Sequence, residues 1–181
     1  TNAEIKQTLD TGNIDILGLT WYLNENNPLS GFTEWIDYAL QNNPNIKIFI
    51  SIPPIDFPAD WQQRAEGFGY NNIRDLYEHV VSDLIHKVVI DQLRELYPST
   101  EIFTLPTGWA TFDLVDQYEN NLLLDDISLF GSYDDSIFTD TKGHQGEIVV
   151  NTGALIWLNG LYGVNLRTND ADTGFNTDLH T

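Results

Sequence analysis

A carboxylate and a histidine lie close together in the last third of the chain, where they could cooperate in proton transfer. Asp135 precedes Phe138 by three residues, and His144 follows Phe138 by six, directly after Gly143. A carboxylate that orients an imidazole is the arrangement that activates a nucleophile in acyl transfer. His144 could turn toward Asp135 or Asp140 for this purpose. A histidine in the first turn of a helix is, however, more often a surface or capping group.

The residues around this pair resemble the closing block of the SGNH (GDSL-like) hydrolases. Asp135-Ser136-Ile137-Phe138 is followed by Gly143 and by an apolar helix that ends in Leu161-Tyr162-Gly163, in the family's order of Asp-x-x-His, glycine and helix. Phe138 stands where the family usually has histidine, and a phenyl ring cannot accept or relay a proton. The resemblance covers roughly residues 3–176. It implies a hydrolase of esters or acetyl esters whose general-base step is lost at position 138.

The resemblance also implies a nucleophilic serine in a Gly-Asp-Ser-like turn after the first strand, and this sequence has no such turn. The serines present are Ser30, Ser51, Ser82, Ser99, Ser128, Ser132 and Ser136. We therefore expect the chain to be incomplete at its N-terminus, with the nucleophile strand upstream of Thr1 or on a separate chain. Asn24 corresponds by position to the family's oxyanion asparagine, but its spacing from Gly18 departs from the motif. An ordinary loop asparagine is the alternative.

Helical and strand-like periods alternate along the chain, as in an α/β protein with a largely parallel sheet. Mostly apolar runs predict three strands, at 14–19, 46–52 and 102–105, of which the first is expected to be buried on both faces, and a brief further strand is predicted at 127–130. Helical spacing predicts five helices: 3–9, 32–43 with Ser30 as its N-cap, 73–96, 111–118 and 148–161. In the longest helix the apolar face is predicted to contain Ile73, Tyr77, Val80, Leu84 and Val88.

Charge excludes several classes of partner. The 8 basic residues against 27 acidic ones give a formal net charge of −19, which repels phosphate backbones and anionic membranes. No nucleic-acid partner is expected, and no apolar run is long enough to span a bilayer. An acidic surface of this kind is typical of a salty or extracellular setting, so we expect a secreted, extracellular or periplasmic protein. The absence of cysteine excludes disulfides and thiol chemistry.

Aromatic residues at or beyond the predicted strand ends are candidates for substrate binding. Trp21, Tyr22 and Trp109, with Asn24, could line a groove for an acyl chain or a glycan, although packing in the core or a loop is the alternative. No phosphate-binding glycine loop follows a strand, so no cofactor is predicted. The acidic residues between positions 125 and 140 could hold calcium, but they lack EF-hand spacing, and no metal site is predicted.

Taken together, the sequence predicts a single domain over residues 1–181 with a three-layer α/β/α, flavodoxin-like parallel sheet of the SGNH type. Its predicted function is ester hydrolysis, incomplete or impaired in this chain. The catalytic candidates are Asp135 and His144, with Phe138 at the usual histidine position. The alternative is a non-catalytic binding or structural module of an extracellular assembly. For either function, a protein partner or a further chain segment could complete the sheet.

Overall fold

The computed structural model describes residues 2–20 and 27–180 and shows a mixed α/β protein. Its α-helices are α1 (Asn2–Leu9), α2 (Ser30–Asn42), α3 (Trp61–Gly67), α4 (Ile73–His79), α5 (Asp91–Leu96), α6 (Gly108–Glu119) and α7 (Glu147–Tyr162). Its strands are β1 (Ile16–Thr20), β2 (Lys47–Ser51), β3 (Ile102–Leu105), β4 (Ser128–Phe130) and β5 (Ser136–Phe138). A π-helix, Val80–Ile90, connects α4 to α5, and Pro58–Asp60, Tyr133–Asp135 and Leu166–Thr168 are 3-10 turns.

The chain divides into two compact units. The first comprises Thr1–Pro53 and Glu78–Leu105, and the second comprises Pro54–Tyr77 and Pro106–Thr181. The expectation of one domain over residues 1–181 stays a prediction. Among the described residues, each helix is too short or too polar to cross a lipid bilayer.

The first unit is built on a three-stranded parallel sheet in the order β1-β2-β3. Ile16 pairs with Lys47, and Ile48 pairs with Ile102. The central strand β2 is buried, because apolar side chains cover both of its faces. The three predicted strands are therefore confirmed. The expectation that the first would be buried on both faces is wrong, since β1 is at the edge of the described sheet and its residues are half-buried or exposed.

Two details of the predicted helices are corrected by the structure. Ser30 is the first residue of α2 and not its N-cap, which is Leu29; the Ser30 hydroxyl instead donates to the carbonyl oxygen of Asn27 at 3.2 Å. In the stretch 73–96, Leu84 and Val88 of the predicted apolar face are exposed, and the buried face follows the neighbouring stripe. That buried stripe contains Val81, Ile85, Val89 and Leu93, whereas Tyr77 is a member of the predicted face and is buried as expected. Both stripes are apolar, so their periodicity could not distinguish the face that packs.

The second unit contains the two-stranded parallel sheet of β4 and β5, in which Phe130 pairs with Phe138. Its core is aromatic: Trp61, Tyr77, Phe112 and Phe138 are all buried. The rings meet edge to face, with Trp61 4.8 Å from Phe112 and 5.8 Å from Phe138. This geometry places the positive ring edges against the negative ring faces. The predicted strand at 127–130 is confirmed as β4, whereas the sequence did not predict β5.

Candidate acid–base site

The second unit contains a carboxylate–imidazole pair in the loop between β5 and α7. His144 Nδ1 lies 2.5 Å from Asp140 Oδ2. Asp140 Oδ1 also accepts hydrogen bonds from the backbone N–H groups of Lys142, Gly143 and His144, at 3.0, 3.1 and 3.2 Å. One carboxyl group thus fixes both the loop backbone and the ring. The pair is open to solvent, because 64% of the His144 side chain and 46% of the Asp140 side chain are exposed.

Backbone contacts on both sides of the loop hold the pair in place. The Thr139 N–H donates to the His144 carbonyl at 2.7 Å, and the Gly146 N–H donates to the Ile137 carbonyl at 2.8 Å. Gly143 has a φ of +99°, a conformation that favours glycine over other residues. This turn brings His144 back to the carboxylate four residues earlier.

The contact with Asp140 determines which nitrogen of the His144 ring carries a proton in the neutral ring. An ionised carboxylate can only accept hydrogen bonds, so Nδ1 of His144 is the donor. In the neutral ring the lone pair is then on Nε2, the atom that a general base uses. The hydrogen bond from His144 is the main reason that the pKa of Asp140 is lowered from its ordinary value. Asp140 therefore stays ionised at neutral pH and is suited to orienting the imidazole.

Asp135 does not share this site. Its Oδ1 accepts hydrogen bonds from the backbone N–H of Ser132 at 2.9 Å and from the Ser132 hydroxyl at 2.6 Å. The backbone bond, together with the reciprocal bond from the Asp135 N–H to the Ser132 side chain, forms a capping box at the 3-10 turn Tyr133–Asp135. Of the two carboxylates that the sequence allowed as partners of His144, the structure pairs the histidine with Asp140.

Phe138 is a core residue. Its side chain is 1% exposed, and its ring contacts Trp61 edge to face and lies 6.0 Å from the Phe130 ring. The position at which the resemblance expects a histidine therefore points into the aromatic core. His144, six residues later, has Asp140 as its carboxylate partner.

Of the predicted substrate-binding residues, Trp109 is half-buried in the first turn of α6. Its ring meets Tyr77 edge to face at 5.0 Å, so it contributes to packing in the second unit. Trp21, Tyr22 and Asn24 lie outside the described residues, and their predicted role stays a prediction.

The three serines of the second unit use their hydroxyl groups in local hydrogen bonds. Ser128 donates to the carbonyl groups of Phe130 and Asp135, and Ser132 donates to the Asp135 side chain. The buried Ser136 donates to the carbonyl groups of Ser132 and Phe138. These bonds stabilise the β4–β5 region. The expectation of a nucleophile outside this sequence stays a prediction.

An acidic cleft of about 570 Å³ lies beside the same strands, lined by Tyr118, Asp125, Asp126 and Asp135, among others. The Asp125 and Asp135 carboxylates already accept hydrogen bonds from neighbouring groups of the protein. Within residues 2–20 and 27–180, no group of three or more His, Asp or Glu side chains is arranged to hold a metal ion.

The sequence alone leaves Asp140 as one of two alternative partners of His144. The signal in its favour is the spacing Asp140-Thr-Lys-Gly-His144, because a glycine directly before the histidine permits the tight turn that the pair requires.

Comparison with protein-family models, with curated proteins and with solved structures gave no match for this chain.

Proposed function

We propose that the second unit supplies the general base of an SGNH-like ester hydrolase, with Asp140 as the residue that orients His144. The observation that carries this proposal is the 2.5 Å contact between His144 Nδ1 and Asp140 Oδ2 in a loop fixed by three backbone hydrogen bonds. The resemblance of the sequence to SGNH hydrolases gives the reaction class. The pair keeps His144, which is one of the sequence-based candidates, and has Asp140 in place of Asp135 as the carboxylate that orients it.

In this proposal His144 Nε2 removes a proton from an attacking hydroxyl group while the oxygen forms a bond to the ester carbonyl carbon. The resulting imidazolium is stabilised by the Asp140 carboxylate, which does not itself become protonated. Collapse of the tetrahedral intermediate breaks the bond to the alkoxy group, and the imidazolium returns the proton to that leaving group. The attacking hydroxyl group belongs to water or to a residue other than Ser128, Ser132 and Ser136. Where it belongs to a residue, a water that gives a proton to His144 Nε2 then attacks the acyl group in the same way and releases the carboxylic acid.

The finer fold assignment belongs to the same proposal: a three-layer α/β/α, flavodoxin-like sheet of the SGNH type. It is supported by the parallel order β1-β2-β3 and by the helices that connect these strands along the chain, since parallel neighbours need such crossovers. A small-molecule ester or acylated glycan is the proposed substrate. A secreted, extracellular or periplasmic location is proposed from the net charge of −19.

The decisive experiment is a comparison of p-nitrophenyl acetate hydrolysis by the wild-type chain and by His144→Gln and Asp140→Asn. We expect turnover above that of free imidazole at equal concentration, and a decrease in kcat/KM of at least about 100-fold in His144→Gln. Asp140→Asn should also lower kcat/KM, because an amide does not hold the imidazole in the required tautomer as a carboxylate does.

The chain offers a matched control in His79→Gln. His79 Nδ1 lies 2.8 Å from Asp83 Oδ2, a second pair at the same i,i+4 spacing, in the helical stretch 73–96. This variant should hydrolyse the ester at the wild-type rate. A wild-type rate no higher than that of imidazole, or equal rates for wild type and His144→Gln, would reject the hydrolase proposal.

A second candidate is a non-catalytic binding or structural module. It is favoured by the burial of Phe138 and by the local hydrogen bonds of the three serines. The same assay separates the two functions, because a module without catalysis gives no turnover that depends on His144.

A further inference from the structure

A partly enclosed cavity of about 430 Å³ lies within the second unit. Apolar side chains form much of its lining, including those of Trp61, Phe112, Val115 and Leu129. Its volume is within the range of sites that take small molecules. The acidic cleft beside β4 is larger but is more open and more polar, so it is less suited to an apolar group.

Pro58 connects this cavity to the acid–base loop. Pro58 lines the cavity, and a Cβ placed on Gly143 would be 3.0 Å from its Cδ atom. The preceding residue, Phe57, donates its backbone N–H to the Lys142 carbonyl at 2.9 Å. The residue just before His144 therefore packs on a wall of the cavity.

The cationic residue in the cavity lining is already neutralised. Arg74 Nη2 lies 2.7 Å from Asp113 Oδ1 and 2.5 Å from Asp116 Oδ2, and its Nε also donates to Asp116. Asp116 and Glu119 line the cavity with it. A guanidinium held by two carboxylates has little capacity left to bind an anion, and the remaining acidic charge repels one.

The polar amides of the lining are also engaged within the protein. Gln62 Nε2 donates to Glu66 Oε1 at 2.7 Å and to the Asn71 carbonyl at 3.1 Å. Asn72 Nδ2 donates to the Asp75 carboxylate, and Asn72 Oδ1 accepts a hydrogen bond from the Asp75 backbone N–H. The cavity therefore offers apolar surface in preference to hydrogen bonds.

We propose that this cavity receives the uncharged acyl chain of the ester substrate and discriminates against acyl chains that end in a carboxylate. This inference rests on the proposed function, because the bound group is an acyl chain only if the protein is an ester hydrolase. Binding to the cavity can nevertheless be measured without catalysis.

The test is a titration of the protein with hexanamide and with adipic acid monoamide, followed by backbone amide chemical shifts. The two compounds have six-carbon chains and are not esters, and the second carries a terminal carboxylate. We expect hexanamide to shift the amides of residues that line the cavity, and adipic acid monoamide to bind at least about tenfold more weakly.

Two variants fill the cavity from exposed positions: Ala59→Trp and Gln62→Trp. Each should weaken hexanamide binding at least about tenfold, and two variants are used so that a folding defect in one does not decide the result. Ala171→Trp is the matched control, since it adds the same side chain at an exposed position that is not part of the lining. It should bind hexanamide as the wild type does.

A third variant tests the charge argument. The double variant Asp113→Asn/Asp116→Asn removes both carboxylates from Arg74, so that its guanidinium can bind the carboxylate of adipic acid monoamide. The affinity for this compound should then come closer to that for hexanamide. The inference is overturned if hexanamide causes the same amide shifts in Ala59→Trp and Gln62→Trp as in the wild type. It is also overturned if the wild type binds both compounds with equal affinity. His144→Gln should retain hexanamide binding, so failure of the hydrolase proposal and failure of this inference give different results.

Discussion

Gly146 lies directly against the backbone of Ser136. A Cβ atom at position 146 would be 1.8 Å from the Ser136 carbonyl oxygen, far inside any contact that real atoms make. Gly146 is also the residue before α7, and its N–H donates to the Ile137 carbonyl at 2.8 Å. This contact fixes the start of α7 against β5. The loop that contains Asp140 and His144 is closed by the same junction.

Gly146→Ala should therefore lower the free energy of unfolding by about 3 kcal/mol, because the strand and the helix must move apart to admit a methyl group. Urea denaturation measures the change. Gly153→Ala is the matched control within α7, where a Cβ meets no atom within 4 Å. It should raise the free energy of unfolding by about 0.5–1 kcal/mol, because alanine is the better helix former. Equal stabilities of the two variants would contradict the argument.

Phe138→His should fail to create a catalytic base. The Phe138 ring is 1% exposed and is packed against Trp61 and Phe130, so the new imidazole would be buried among aromatic rings. We expect a loss of about 2–4 kcal/mol in the free energy of unfolding and no gain in p-nitrophenyl acetate hydrolysis.

Phe138→Leu is the control for this prediction. It keeps the site apolar and should cost less, about 1–2 kcal/mol, since only part of the ring volume is lost. A Phe138→His variant as stable as wild type, or one with increased esterase activity, would restore position 138 as the site of the base.

The fold was predictable where one signal dominated. Residues 46–52 are mostly apolar, and they contain the central strand β2, whose middle residues are buried, as expected for a strand covered on both faces of a sheet. Periodicity gave no answer in the helical stretch 73–96, where two adjacent stripes are both apolar. Which stripe is buried depends on the packing of the surrounding elements, which lies outside the local sequence.

The sequence predicted His144 as a site residue but left two carboxylates as its possible partner. Asp135 and Asp140 are both close to His144 in sequence, and residue type does not distinguish them. The Asp135 carboxylate is hydrogen-bonded to Ser132, so it does not pair with His144. The positive φ of Gly143 turns the backbone so that His144 faces Asp140. These are contacts between loop residues, and the repeat of apolar residues that predicts helices and strands does not predict such contacts.

Tyr77→Phe should destabilise the protein, because the Tyr77 hydroxyl accepts a hydrogen bond from the buried backbone N–H of Gly108 at 3.2 Å. Gly108 is the first residue of α6, where backbone N–H groups have no partner within the helix. Burial raises the pKa of Tyr77, so its hydroxyl is protonated throughout the ordinary pH range.

We expect Tyr77→Phe to lower the free energy of unfolding by about 1–3 kcal/mol and to speed hydrogen exchange at the Gly108 amide. Tyr133→Phe removes the same hydroxyl from an exposed side chain and should change the stability by less than about 0.5 kcal/mol. Unchanged exchange at Gly108 in Tyr77→Phe would show that this hydrogen bond does not secure the start of α6.

Acid should release the C-terminal segment from Asp125. Asp125 Oδ1 accepts hydrogen bonds from the backbone N–H and the side-chain amide of Asn176, and Oδ2 accepts from the backbone N–H and the hydroxyl of Thr177. Partial burial acts to raise the pKa of Asp125, but these hydrogen bonds outweigh it, so the pKa is lowered from its ordinary value of 3.8. Stability from this contact is therefore present above pH 3.8 and is lost as the pH falls through the lower native pKa.

Backbone amide shifts of Asn176 and Thr177, followed from neutral pH to about pH 2, should move together as Asp125 takes up its proton. Asp125→Asn should give the acid-state shifts already at neutral pH, because a neutral amide accepts more weakly than a carboxylate and brings N–H groups toward the same donors. Asp126→Asn alters the adjacent carboxylate and should leave these shifts as in the wild type. Shifts in Asp125→Asn that match the wild type at neutral pH would mean that other contacts hold the segment, among them the packing of the buried Leu179.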